Sequence, residues 1–152
     1  MIQSDYADLL GEDADAALLA DYTYGVCEYV DDRRLDETVG FELPADAGPL
    51  TYHGHCHQKA TGRDHHAVGL LRRAGYAVED LDSTCCGMAG SFGYEAEHYS
   101  MSRAIGQLLF EQLEAAGGRP VAPGASCRTQ LADRTGAPPP AHPVKLLAAA
   151  LP

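Results

Sequence analysis

The sequence predicts an α/β fold, a small parallel sheet of about four strands flanked by helices, with an acidic helical lead-in before it. Three observations carry this prediction. Beyond residue 49 short apolar runs alternate with helical stretches, the order that lays parallel strands side by side under right-handed crossovers. Before that point, residues 1–48 hold 13 of the 22 acidic residues and only Arg33 and Arg34 as bases, so the entire formal net charge of −11 lies in the first third. The 152 residues, 45% hydrophobic and 22% charged, amount to one ordinary globular domain. We divide the chain into a lead-in and connector over 1–48 and an α/β domain over 49–152.

Residues 4–10 and 12–34 have helical periodicity, with Leu9, Leu10, Ala17, Leu18, Tyr22, Val26, Cys27, Tyr29 and Val30 on or near one face. Cys27 lies in that stripe and reads as a core thiol. Residues 35–48 are polar and carry Pro and Gly, so they read as a connector. Leu50-Thr51-Tyr52-His53 is a strand after Pro49, residues 63–74 a helix stopping at Gly75, and residues 76–81 a second strand. A long helix runs from about residue 94 to 116 and ends at Gly117-Gly118, with Glu95 and Glu97 placed to suit its dipole. Residues 119–122 form a third strand, 127–133 a short helix, 140–142 a weak fourth strand and 144–151 a terminal helix.

Composition excludes several functions. No stretch approaches the ~18–20 apolar residues of a membrane helix, and no basic and apolar leader follows Met1, so a cytoplasmic protein is expected, membrane-associated only through partners. The negative charge argues against nucleic acid, whose binding depends on Lys and Arg neutralising phosphates.

The chemistry concentrates in the cysteines. Five in a chain without a visible export signal argue for metal or redox chemistry over a disulfide framework. His53-Gly54-His55-Cys56-His57 follows the first strand, Ser83-Thr84-Cys85-Cys86-Gly87 the second, and Pro123-Gly124-Ala125-Ser126-Cys127 the third. Ligands of parallel sheets gather at the carboxyl ends of the strands, so all three loops deliver thiols to one edge. The α carbons of Cys85 and Cys86 are only ~3.8 Å apart, too close for an unstrained bond between them. Four thiols suit an iron–sulfur cluster or zinc; a redox-active or buried thiol set, including a Cys56 thiolate activated by its flanking histidines, is the remaining alternative. His55 and His57 are candidates for hydrogen bonds to cluster sulfur, and Gly87, beside the paired cysteines, for a close backbone N–H. The Gly-rich run over 87–93 lacks both the GxGxxG order and a Walker lysine, so it is no phosphate loop. Glu97 and His98 remain candidates to face the cysteine edge.

Tyr52-His53-Gly54-His55-Cys56-His57-Gln58-Lys59-Ala60, Cys85-Cys86-Gly87-Met88-Ala89-Gly90-Ser91-Phe92-Gly93-Tyr94-Glu95 and Gly124-Ala125-Ser126-Cys127-Arg128-Thr129-Gln130 together resemble the cysteine-rich CCG domain. More narrowly they are similar to the carboxyl-terminal CCG repeat of FAD-linked oxidases joined to an iron–sulfur module, the D-lactate and 2-hydroxyacid dehydrogenase type. The same domain class occurs in the glycolate oxidase iron–sulfur protein, the C subunit of anaerobic glycerol-3-phosphate dehydrogenase and the B subunit of heterodisulfide reductase. The resemblance implies that Cys56, Cys85, Cys86 and Cys127 hold an iron–sulfur cluster, with zinc as the alternative, in an electron-transfer module that is not catalytic alone. It implies FAD on a partner flavoprotein domain or subunit, and a first CCG or ferredoxin-like module as a further partner. The heterodisulfide reductase type ends in CxxC where this chain has Cys127-Arg128-Thr129-Gln130, which implies four thiolates. The lead-in resembles the helical segment between two CCG repeats, and the chain reads as a fragment or separately encoded piece of a larger oxidoreductase.

Overall fold

The computed structural model describes residues 2–152. Three strands, β1 (Leu50–His53), β2 (Val78–Leu81) and β3 (Arg119–Val121), form a parallel sheet in the order β2-β1-β3. The register pairs Leu50 with Val78 and Arg119, and Tyr52 with Asp80 and Val121. All four residues of the central strand β1 are buried, as expected of a strand covered on both faces. The weak fourth strand reduces to one parallel bridge, Val121 to Ala141. Its cause is the run Pro138-Pro139-Pro140, which supplies no N–H to continue a ladder.

The helices are α1 (Asp5–Leu10), α2 (Ala14–Asp21), α3 (Val26–Asp32), α4 (Cys56–Ala60), α5 (His65–Arg73), α6 (Tyr99–Ala116), α7 (Ala125–Thr135) and α8 (Pro143–Ala149). Gly117 and Gly136, both in the left-handed region, end α6 and α7. Strand alternation separates two apolar clusters. Leu50, Tyr52 and Val121 pack with Val68 and Leu71 of α5 and Leu146 of α8 on one side of the sheet. Ala122, Leu109, Phe110, Leu113 and Leu131 pack with Cys86, Met88 and Cys127 on the other. Thr51 and His53 therefore turn to the side where the cysteines lie.

Several elements differ from expectation. The helix expected over 12–34 breaks into α2 and α3, because Gly25 is a poor interior residue and instead starts a new helix, its N–H donating to Glu28 at 2.9 Å. Leu9, Leu10, Leu18 and Tyr22 are exposed, so the apolar face of the first two helices is not core. Residues 35–38 of the connector form a 3₁₀ turn, and α4 begins at Cys56 inside what reads as a loop. The long helix starts at Tyr99, five residues later than expected. Gly93 is held against Met88, donating its N–H to Met88 O at 2.9 Å, and Phe92 stacks on His98 at 4.2 Å, so the chain must turn there. Glu95 and Glu97 consequently lie outside the first turn of α6, which removes the dipole role expected of them.

The acidity of the lead-in is partly internal. Glu28 pairs with Arg63, and Asp31 with Arg73 and with His66 Nδ1 at 2.7 Å. The nearly buried Asp36 accepts from Arg73 Nε at 2.6 Å. These pairs dock α3 and the following turn on α5. No described helix is long and apolar enough to cross a membrane.

Candidate metal centre

The three cysteine loops meet at the carboxyl edge of the sheet, at different depths. Cys86 and Cys127 are 3% and 2% exposed, Cys85 is half-buried and Cys56 exposed. Cys127 starts deep because α7 begins at Ala125 directly after β3. A side chain on Gly124 would strike His55 at 2.6 Å and Cys127 Sγ at 2.9 Å, so the close approach of these loops requires glycine there. Gly87 has φ +93°, and a side chain on it would run into the Ser102 carbonyl of α6. The loop carrying the paired cysteines is thus pressed directly onto α6 backbone. Gly87 N–H in turn donates to Cys85 Sγ at 3.3 Å.

Below the loop, buried Gln130 Nε2 donates to Cys86 O at 3.1 Å, Ser102 O at 3.2 Å and Ser102 Oγ at 3.0 Å. One amide thereby joins α7, the cysteine loop and α6. On the other side Lys59 Nζ donates to Ser83 O at 2.9 Å and to Leu81 O at 3.3 Å, tying α4 to the end of β2.

The sulfurs fall into a deep and a shallow pair. The Cys127 thiol donates to the Cys86 sulfur, which is the main reason that Cys86 is held well below the usual thiol range, with the His53 ring and the Met88 N–H, both turned to the same sulfur, acting the same way against burial. Cys127 is correspondingly pushed far up as the partner that keeps the proton, and burial adds to this. Burial raises Cys56, helped by its neighbours Cys85 and Cys86. Two sulfurs in hydrogen-bond contact in a nearly dry site are a soft donor pair.

His53 completes the deep pair. One of its ring nitrogens and the sulfurs of Cys86 and Cys127 all lie within 4.8 Å of one another, and the three residues are buried. The strand end thus brings to the thiols an imidazole that the sequence reading did not single out. His55 packs at Gly124, where burial lowers its pKa, and His57 is exposed on α4. His98 Nδ1 lies 2.9 Å from Glu95 Oε2 in a separate group with Glu97. Cys27 is half-buried against the other apolar cluster, its thiol pushed up to about 11 by burial. The signal that could have marked His53 is its parity: Tyr52 faces one layer, so its neighbour at the strand end faces the opposite one.

The family model for the CCG cysteine-rich domain matches residues 50–132, which span four of the five cysteines, Cys56, Cys85, Cys86 and Cys127. The chain belongs to the CCG cysteine-rich domain family. It is 40% identical over 123 residues to the C subunit of anaerobic glycerol-3-phosphate dehydrogenase from Escherichia coli (strain K12), covering 78% of this chain and 30% of that protein. It is 32% identical over 102 residues to D-2-hydroxyglutarate dehydrogenase of the same strain, covering 63% of this chain and 10% of that protein. A Pseudomonas putida D-2-hydroxyglutarate dehydrogenase is likewise 32% identical, over 101 residues that cover 64% of this chain and 10% of that protein. The CCG chain thus spans under a third of the length of these relatives. No solved structure gives a significant match.

Proposed function

We propose that this domain holds an iron–sulfur cluster on Cys56, Cys85, Cys86 and Cys127 and serves as the electron-transfer module of a flavin-linked oxidoreductase. The observation that carries the reading is the convergence of three thiol loops on one sheet edge, with Cys86 and Cys127 buried side by side. The donor set fits such a group: soft sulfurs, a backbone N–H on Cys85 Sγ, and a buried His53 Nε2 with no nitrogen or oxygen partner, facing the Cys86 sulfur. When bound, the cluster supplies one-electron reduction and oxidation.

The protein's own part is to hold and shield. Gln130 fixes the Cys86 carbonyl, Gly87 and Gly124 let the loops close, and burial of Cys86 and Cys127 keeps water from one side. Exposed Cys56 marks the side on which a partner would approach. The relatives named for glycerol 3-phosphate and D-2-hydroxyglutarate act, by those names, on secondary alcohols. The substrate class proposed is therefore a 2-hydroxy acid or similar secondary alcohol. It would be oxidised on an FAD-bearing partner, with a first CCG or ferredoxin-like module in the same assembly. The domain alone oxidises none of these substrates.

Zinc on the same four thiols is the competing occupant, and would make the domain a structural or assembly module. Anaerobic reconstitution with iron and sulfide separates the two. Visible charge-transfer absorption that bleaches with dithionite and returns on reoxidation supports electron transfer. A colourless protein with stoichiometric zinc, or colour that does not respond to reductant, overturns it. Oxidation of D-lactate or glycolate by the chain without a flavoprotein contradicts the module role.

A further inference from the structure

We propose that His53 is itself a ligand of this centre, its Nε2 binding metal beside the deep Cys86–Cys127 pair. The inference rests on the reading that the cysteines hold a metal, and it puts a nitrogen donor among the thiolates. His53 is 1% exposed, and its buried Nε2 has no nitrogen or oxygen partner and faces the Cys86 sulfur without a hydrogen bond of normal geometry. Interiors rarely leave a ring nitrogen without a well-formed hydrogen bond, and a bound ion is a recurrent reason when they do.

The other ring nitrogen is already engaged. Nδ1 lies 2.6 Å from Ser83 Oγ, and Ser83 is itself held by Lys59 Nζ through its carbonyl at 2.9 Å. A metal-bound imidazole characteristically gives its second N–H to an oxygen, which sets the tautomer and the ring plane. With Nδ1–H on Ser83 Oγ, the Nε2 lone pair is left for the thiol side. A ring nitrogen of His53 and the two sulfurs lie within 4.8 Å of one another, and two bonds of ~2.0–2.3 Å to one ion span at most about 4.6 Å. A small closing of the triangle therefore seats an ion among them.

Strand geometry makes the placement robust. His53 ends the central strand, paired on one side with Leu81, and the alternation that buries Tyr52 in one cluster sends His53 toward the other. Its donor is on a rigid element, whereas Cys56 and Cys85 sit on shallower ground. His53, Cys86 and Cys127 thus form the fixed floor of the site.

The test is pulsed electron paramagnetic resonance on the full chain, reconstituted anaerobically with iron and sulfide and reduced with dithionite. A bound imidazole gives a strong ¹⁴N coupling, replaced by the ¹⁵N pattern when histidine is ¹⁵N-labelled. We expect this coupling in the wild type and in His55→Gln and His57→Gln, and its loss in His53→Gln. Since His53→Gln can fail to fold, His53→Cys is the second variant; it keeps a donor at the position, so metal should stay while the imidazole coupling goes. Metal-loaded wild type with no coupling, or with only the weak coupling of a hydrogen-bonded ring, overturns the inference and leaves the four-thiolate reading standing. So does a coupling that persists in a folded His53 variant. Wild type that loads zinc is read by zinc-edge X-ray absorption, where nitrogen beside sulfur supports His53 and sulfur alone overturns it. Wild type that takes up no metal overturns the reading of the cysteines, and this inference with it.

Discussion

Gln130 is the residue on which the buried half of the centre depends. Replacing it by leucine keeps the volume but removes the donor shared by Cys86 O, Ser102 O and Ser102 Oγ, all within 3.0–3.2 Å of Nε2. The amide has two hydrogens, so one of the three acceptors is shared; two net hydrogen bonds of ~1 kcal/mol each, with part of the desolvation of orphaned buried acceptors added, give a loss of about 2–4 kcal/mol. At roughly 2–4 °C per kcal/mol for a chain of this size, the melting temperature should fall by about 5–15 °C. The assay is a thermal melt by circular dichroism on anaerobic, reduced, metal-free protein. Thr129→Ala is the control: Thr129 is exposed and bonds only its own helix, so its loss should stay within about 0.5 kcal/mol. Gln130→Leu should also retain less metal, since the Cys86 carbonyl is freed. A Gln130→Leu protein that melts with the Thr129→Ala control would refute the reasoning, because the bonds joining α7, the cysteine loop and α6 would then carry no stability.

Gly87→Ala combines a side chain at φ +93° with a collision against Ser102 O, so we expect a loss of about 2–5 kcal/mol and no retained metal, measured by denaturant titration and metal analysis. In metal-free native protein, exposed Cys56 should be the first of the four site thiols alkylated by iodoacetamide, and Cys86 and Cys127 should react only on unfolding; mass spectrometry of timed digests reads the order. Burial works to raise the Asp31 carboxyl, but hydrogen bonds from His66 and Arg73 outweigh it and lower the pKa. The folded value lies below the unfolded one, so this group contributes stability at neutral pH that is lost as pH falls through the carboxylate range to the folded pKa. Asp31→Asn should accordingly be less stable than wild type at pH 7 and lose less on acidification, as followed by melts at stepped pH.

Where punctuation is strong, the sequence is readable. Pro49 before β1, Gly75 after α5 and Gly117-Gly118 after α6 bound elements that fold close to their expected places. The parallel order follows, and with it the edge on which Cys56, Cys85, Cys86 and Cys127 meet. Periodicity fails at the lead-in because it reports that a face is apolar and not whether anything covers it: Leu9 is 78% and Tyr22 73% exposed. The pairing of Asp31 and Asp36 with Arg73 across 42 and 37 residues has no local signature, so the acidity of the lead-in is in part a clamp. His53 escapes a reading of the sequence for a different reason. Attention to histidines flanking Cys56 follows sequence neighbourhood, whereas strand parity turns His53 as well to the deep thiols.

The central claim, that four cysteines from three loops hold an iron–sulfur centre, is tested most directly by iron and acid-labile sulfide per chain after anaerobic reconstitution, in the wild type and in four single Cys→Ser variants. The prediction is iron and sulfide together in the wild type and a marked loss in each of Cys56→Ser, Cys85→Ser, Cys86→Ser and Cys127→Ser, with Cys27→Ser unchanged. Zinc without sulfide in the wild type, or iron and sulfide undiminished in the Cys86→Ser and Cys127→Ser proteins, would contradict it.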